Sequence, residues 1–312
     1  MALWLVTGGA GFIGSNLVEA LVSRGEQVRV LDNFSTGLRQ NLESIPGPFE
    51  LLAGDVRDPE ICGRAAAGVD YILHQAALGS VPRSIANPLE THAANATGTL
   101  TLLVAARGEK VKRFVCAGSS SVYGRNPALP KREDMVPMPI SPYAVSKLAQ
   151  ENYCLAFTEC YGLETVVLRY FNIYGPRQDP SSLYAAVIPK FLKAAREGRS
   201  PEIHGDGEQS RDFTFVADCV EANLTAATAP LNSQRVFNIA GGRRVSINQI
   251  WQEIKRITGT RVEAKHVEPR PGDVRHSLAD TTQASQVLGW KPQVGIAEGL
   301  ARTRQAFKPG ES

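Results

Sequence analysis

No stretch of this sequence stays apolar for the roughly 20 residues a membrane helix requires, which sets aside a helical span. Cysteine is sparse as well. The five thiols, Cys62, Cys116, Cys154, Cys160 and Cys219, form no Cys-x-x-Cys pair and are odd in number. That pattern argues against a disulfide framework and fits a reducing compartment, so a cytoplasmic location is expected. The histidines are scattered, and no spacing suggests a metal site. An excess of one charge is also missing. The 34 Lys and Arg against 31 Asp and Glu leave +3, too little to point to nucleic acid or a membrane surface. The densest basic spot, Arg243-Arg244, reads as solvated surface. The opening "MALWLV" meets Thr7-Gly8 too early to serve as a signal peptide. Repeats and low-complexity tracts are absent too.

What remains is a globular composition, long enough for one large domain or two ordinary ones. The first half alternates β-rich runs with helical stretches. The runs are "LWLVT", "QVRVLD", "FELLAGD", "VDYILHQAA", "RFVCAGSS" and "ETVVLRYFN". After the first of them, Ile13, Leu17 and Leu21 share one helical face, which ends at Arg24-Gly25. Near-continuous apolar strands separated by helices predict a parallel sheet covered on both faces, the doubly wound Rossmann architecture of the α/β class. After Asn172 the regularity fades through the Pro/Ser/Gly-rich "YGPRQDPSSLYA". Helical stretches near 185–197, 217–228 and 246–258 then alternate with short strands. The expected division is a dinucleotide-binding domain over 1–175 and a smaller mixed α/β substrate domain over 176–312.

"VTGGAGFIG" follows a strand and opens a helix. Gly9, Gly11 and Gly14 satisfy G-x-G-x-x-G, and Gly8 extends the pattern. Glycine is needed where the turn is tight and the backbone approaches a pyrophosphate, and the helix start supplies free N–H groups. Asp32 ends the second strand, where a carboxylate can bind ribose hydroxyls. An acid there repels a 2′-phosphate, and "DNFSTG" offers no arginine beside it, so NAD is expected over NADP. "GDVRD" places Asp55 and Val56 to meet adenine.

"SPYAVSK" holds Tyr143 and Lys147 four residues apart, on one helical face. Ser141 is a suitable N-cap and Pro142 a suitable first residue. A lysine ammonium and the positive nicotinamide ring beside a tyrosine favour its phenolate, which makes it a usable base. "GSSSVYG" lies upstream at a strand end.

The succession "TGGAGFIG", "HQAA", "SSSVYG", "YAVSK", "RYFNIYGPRQDP", "SRDF" and "RPGDVRHSLAD" resembles the extended short-chain dehydrogenase/reductases, and within them the UDP-hexose 4-epimerases. The resemblance spans nearly the whole chain. It implies that Tyr143 takes the proton of the sugar 4-hydroxyl, that Ser119 hydrogen-bonds the same oxygen, and that Lys147 holds the nicotinamide ribose. NAD would be resident, with no net redox change. It further implies cofactor contacts by Phe12, Ile13, Asn33, Ser35, Thr36, Gly37, Gln75, Ala76, Ala77, Asn95 and Tyr170.

Related 4,6-dehydratases carry Asp-Glu where this chain has Ser120-Ser121, and related decarboxylases keep a glutamate at Ser121. Serine cannot serve as their acid or base near pH 7, so epimerisation is the reaction left.

The same resemblance places Asn172 on the diphosphate, Val187 and Lys190 near the substrate, and uracil near His204. Arg211 and Arg270 would bind diphosphate, and Asp273 the uridine ribose. An arginine fork suits phosphate. Asp179 would repel a glucuronate carboxylate. Strict UDP-glucose epimerases have a tyrosine at Ser277; serine leaves room for an N-acetyl group, as do Gly79 and Ser80. The expected substrates are therefore UDP-GlcNAc and UDP-GalNAc, with UDP-glucose also accepted. A UDP-glucose 4-epimerase without N-acetyl preference, or a silent NAD-binding regulator on the same fold, are the alternatives. A homodimer is expected from the family, through helices near 88–106 and 142–160.

Overall fold

The computed structural model describes residues 1–179, 186–269 and 275–307. Strand β1 (Leu3–Thr7) leads through α1 (Phe12–Ser23) to β2 (Gln27–Asp32), α2 (Arg39–Glu43), β3 (Glu50–Ala53), α3 (Pro59–Ala66) and β4 (Tyr71–His74). Two short helices, α4 (Val81–Ala86) and α5 (Pro88–His92), precede a π-helical turn at Ala93–Thr97 and α6 (Gly98–Gly108). Strand β5 (Arg113–Ser119) runs into a 3₁₀ turn at Ser120–Tyr123, and α7 (Pro142–Tyr161) returns the chain to β6 (Thr165–Tyr170). Next come β7 (Ile173–Tyr174), α8 (Val187–Arg196), β8 (Glu202–His204), β9 (Ser210–Asp212) and β10 (Thr214–Phe215). The chain then passes through α9 (Val216–Thr228), β11 (Val236–Ile239), β12 (Arg244–Ser246), α10 (Ile247–Thr258) and β13 (Lys265–Val267) to α11 (Ile296–Ala306).

Seven strands form one parallel sheet in the order β11-β6-β5-β4-β1-β2-β3. This is the doubly wound fold that the near-continuous apolar strands predict. Successive side chains along a strand point to opposite faces. Val6, Val30 and Leu168 accordingly pack with Leu17 and Leu21 of α1 and Leu224 of α9. Leu5, Leu31 and Val167 pack on the other face with Cys62, Leu102, Leu103 and Phe157 from α3, α6 and α7. Each such buried side chain stabilises the fold by about 1.5–3 kcal/mol. A third core, with Phe191, Ile203, Phe215, Ile250 and Trp251, lies under the C-terminal elements.

A single cut after residue 175 does not describe this chain. Strand β11 comes from the later part yet pairs with β6, Val236 beside Val167 and Ile239 beside Tyr170. Without it β6 would present an edge of unpaired backbone groups. Helix α9 likewise returns to cover the sheet beside α1, burying Cys219, Ala222 and Ala226.

The chain runs from β1 outward through β2 to β3, and from β4 outward in the other direction. The loops after β1 and β4 therefore diverge and open a crevice at the carboxyl ends of the strands, where such sheets bind ligands. Among the described residues no helix is long and apolar enough to cross a membrane.

Candidate active site

The crevice is shaped by backbone approach. Gly8 has φ +66°, and a Cβ on it would stand 2.7 Å from the Ala76 amide nitrogen. A Cβ on Gly14 would lie 2.0 Å from the Gly8 carbonyl oxygen. Helix α1 starts after Gly11 without a side-chain cap or an acidic residue in its first turn, so its leading amides have no side-chain partner. A helix start of this kind suits a phosphate.

Twelve of the residues expected at the cofactor line a cavity of about 110 Å³ here: Gly8, Gly11, Asp32, Asn33, Ser35, Thr36, Gly37, Asp55, Val56, Gln75, Ala76 and Ala77. Leu31, Gly54, Leu78 and Ala94 line it as well, and sequence reasoning did not name them. Asp32 Oδ2 accepts from the Ala10 amide at 2.9 Å, and Oδ1 from the Phe34 amide at 2.7 Å. Burial pushes its carboxyl above the usual value against the pull of those two amides. Asp55 accepts from Arg57 and from Asn33, and the Arg57 guanidinium holds its carboxyl down at about 2. The glycine cradle, the open helix start and the strand-end carboxylate fit a dinucleotide.

Other expected cofactor residues stand behind this wall. The Asn95 amide is spent inside the protein, on both backbone groups of Leu78 and on Ser146 Oγ. Tyr170 OH donates to Asn223 Oδ1 at 2.9 Å, and Gln75 Nε2 donates to the same oxygen at 3.0 Å. Both residues thus orient lining residues from beneath. Phe12, Ile13 and Gly14 belong to the first turn of α1.

Ser141 caps α7 by accepting from the Ala144 amide, and Pro142 and Tyr143 form its first turn. Lys147 is buried, and its Nζ donates to the Ala117 carbonyl at 2.9 Å. That bond draws the ammonium to the end of β5, two residues before Ser119. The Ser119 and Ser121 hydroxyl oxygens are 2.8 Å apart, and the Ser121 amide donates to Ser119 Oγ. Ser80 spends its hydroxyl on the start of α4, accepting from the Arg83 amide. Gly79 and Ser80 stand on the loop after β4 and line neither cavity.

A second cavity, of about 450 Å³, is lined by Asn172, Val187, Lys190, His204 and Arg211, all expected at the substrate. Phe191, Gln209, Phe213 and Ile247 add walls that sequence reasoning missed. Arg211 Nη1 donates to the carbonyls of Ser210 and Arg275. Gln209 Nε2 donates to the His204 carbonyl at 2.7 Å, and His204 Nδ1 lies 3.0 Å from the Glu268 carbonyl oxygen. Ser277 is held against β9: its amide donates to the Ser210 carbonyl, and its Oγ accepts from the Asp212 amide. Arg270 and Asp273 lie outside the described residues.

Residues 4–240 match the family described as NAD dependent epimerase/dehydratase family. The chain belongs to that family. A UDP-glucose 4-epimerase of Mycolicibacterium smegmatis is 41% identical over 97% of this chain and 98% of its own. The solved UDP-glucose 4-epimerase of Thermotoga maritima with UDP-glucose superposes with a TM-score of 0.92 at 39% identity, covering 98% of both chains. A UDP-N-acetylglucosamine 4-epimerase from Methanobrevibacter ruminantium, solved with UDP-N-acetylmuramic acid, gives 0.94 at 40% identity over 98% of both chains. Membership makes NAD the cofactor that the glycine cradle accommodates. Relatives that match this chain include a UDP-glucuronic acid decarboxylase and a dTDP-glucose 4,6-dehydratase as well as 4-epimerases, so their chemistry on the sugar varies. That question falls to the residues around Ser119 and the second cavity.

Proposed function

We propose that this protein is a UDP-sugar 4-epimerase that interconverts UDP-GlcNAc and UDP-GalNAc and also accepts UDP-glucose and UDP-galactose. The observation that carries the reading is the Ser119–Ser121 hydroxyl pair, 2.8 Å apart at the end of β5. Elimination of water or loss of a carboxyl group calls for a carboxylate acid or base at this place, and a serine pair supplies none. Epimerisation needs only a proton acceptor, a hydrogen-bond partner for one oxygen and a hydride carrier.

NAD, when bound, supplies the hydride acceptor and donor for carbon 4 of the sugar. Gly8, Gly11, Gly14 and Asp32 would hold it. Tyr143 Oη accepts the proton of the 4-hydroxyl and returns it, Ser119 Oγ holds the same oxygen, and Lys147 would hold the nicotinamide ribose. Asn172 and Arg211 bind the diphosphate, with Arg270 and Asp273 completing the uridine diphosphate contacts. Val187, Lys190 and His204 shape the rest of the pocket.

A homodimer accompanies this reading. Leu89 of α5, Val104 of α6 and Val145 and Tyr153 of α7 are exposed apolar side chains on helices that pack together, 81%, 49%, 51% and 39% exposed. Five free cysteines support a reducing, cytoplasmic setting.

A second reading, a UDP-glucose 4-epimerase without N-acetyl preference, is favoured by one observation. The Ser277 hydroxyl is engaged with the Asp212 amide at 3.3 Å and the residue is not among those lining the second cavity. Purified protein given UDP-GlcNAc, UDP-glucose and UDP-glucuronate separately, with each mixture analysed for its 4-epimer, distinguishes the two. Epimer from UDP-GlcNAc supports the first reading, and epimer from UDP-glucose alone the second. No epimer from any of them defeats both and leaves an NAD-binding regulator. Ser277→Tyr is expected to lower turnover of UDP-GlcNAc at least tenfold while UDP-glucose turnover changes less than threefold. Equal loss of both would remove Ser277 as the gate.

A further inference from the structure

The Arg169 guanidinium lies under the catalytic segments, its side chain 3% exposed and that of its partner Glu151 4%. Arg169 Nε and Nη2 donate to the two Glu151 carboxylate oxygens at 2.9 and 2.6 Å, a bidentate pair. Its Nη1 donates to Tyr123 OH at 2.8 Å, and Tyr123 OH passes its own proton to Asn238 Oδ1 at 2.6 Å. Asn238 is fixed in turn, its amide donating to Glu133 Oε1 at 2.8 Å.

What these partners carry gives the network its meaning. Glu151 is on α7, one helical repeat of four beyond Lys147 and two beyond Tyr143, so the three share a face. Tyr123 closes the 3₁₀ turn that begins directly after Ser119. Arg169 itself stands opposite Gly118 in the β5–β6 register, with Tyr170 opposite Ser119. One guanidinium therefore grips both the helix that carries Tyr143 and Lys147 and the turn that follows Ser119.

We infer that Arg169 is a positioning residue: by clamping Glu151 and Tyr123 it sets Tyr143 and Lys147 at a fixed distance from Ser119. A buried ion pair is weak evidence for a stabilising role, because a well-packed apolar pair often does as well. Its planar fork, by contrast, fixes direction as well as distance. A displacement of about 1 Å at a reacting group can cost a hundredfold in rate.

The inference rests on Tyr143, Lys147 and Ser119 being the reacting set, so the test has one readout with substrate and one without. Arg169→Lys keeps the charge and loses the fork. It is expected to lower kcat per folded molecule about 10- to 100-fold, with KM for the UDP-sugar and the bound NAD content within twofold of wild type. The ¹³Cζ resonance of Tyr143, assigned by its loss in Tyr143→Phe, is expected to move in Arg169→Lys without any substrate present. The double variant Arg169→Met with Glu151→Leu replaces the pair by apolar volume. It is expected to recover Tm without recovering kcat or the resonance position. Recovery of all three together, or an Arg169→Lys protein with unchanged kcat and resonance, overturns the clamp. A resonance that moves in Arg169→Lys while the wild-type protein makes no epimer overturns the assigned reaction and keeps the clamp.

Discussion

The cofactor crevice and the C-terminal cavity are built in opposite ways. The crevice between β1 and β4 is about 110 Å³ and takes its walls from strand ends and the loops just after them. The C-terminal cavity is about 450 Å³ and draws on α8, β8, β9, the start of α10 and the loop after β6. In the first, the backbone does the recognition: a glycine cradle and a helix start. In the second, long side chains such as Lys190 and Arg211 reach in from elements that meet only after folding. The first design is unforgiving of any added atom, while the second tolerates exchange of its walls. A family can then keep one cofactor while it changes substrates.

Tyr143 is the proton acceptor of the proposed reaction, and its loss is expected to have the largest effect. Tyr143→Phe removes the proton acceptor and nothing else, so turnover should fall about 10²- to 10⁴-fold. NAD content of the purified protein and UDP affinity by calorimetry should both stay within threefold. If either collapses, Tyr143 is a binding group and not the proton acceptor.

The comparison itself is broken or sharpened by Gly14→Val. The added Cβ has no place to go, because it would stand 2.0 Å from the Gly8 carbonyl oxygen, and backbone cannot yield as a flexible side chain can. NAD content is expected to fall at least tenfold, while UDP affinity of the C-terminal cavity drops no more than threefold. Parallel loss of both would mean that the cavities do not form independently.

This asymmetry also explains how much could be read from the sequence. Gly8 through Gly14, Asp32 and Asp55 are legible because each ends or follows a strand that its own neighbours define. Gly54 opens "GDVRD" and Leu78 lies three residues beyond Gln75, so local signals for them exist. Phe191, Gln209, Phe213 and Ile247 carried no such signal, since their meeting depends on how α8 and α10 dock. Asn95 and Tyr170 show a different limit. The resemblance places them at the cofactor, but their side chains are turned to Leu78, Ser146 and Asn223, which only the packing reveals. Strand β11 escaped the expected domain division because four apolar residues carry no mark of which sheet will pair with them.

The smallest expected effect separates the two halves by pH. In the cofactor half, His74 is buried, with Nδ1 2.7 Å from Thr7 Oγ1 and Nε2 2.8 Å from Thr99 Oγ1. Thr99 spends its own proton on the Asn95 carbonyl at 2.7 Å, so Nε2 carries the imidazole hydrogen and Nδ1 accepts from Thr7. Burial, helped by the Lys147 charge, takes the ring from 6.5 down to about 3. A folded value below the unfolded one means stability that is complete above pH 6.5 and lost as pH falls toward 3. The loss is roughly 1.4 kcal/mol per unit. In the substrate half, burial takes Asp212 from 3.8 up to about 6, so its cost is absent below 3.8 and grows as pH rises through 6. Acidification from 7 to 5 should therefore loosen β1 and β4 while relieving β9. Amide hydrogen exchange at the two pH values is expected to show falling protection at Val6 and Leu73 and steady or rising protection at Asp212. His74→Gln should remove the first trend and Asp212→Asn the second. If both stretches lose protection together in wild type, the halves unfold as one unit at acid pH and their difference is confined to ligand binding.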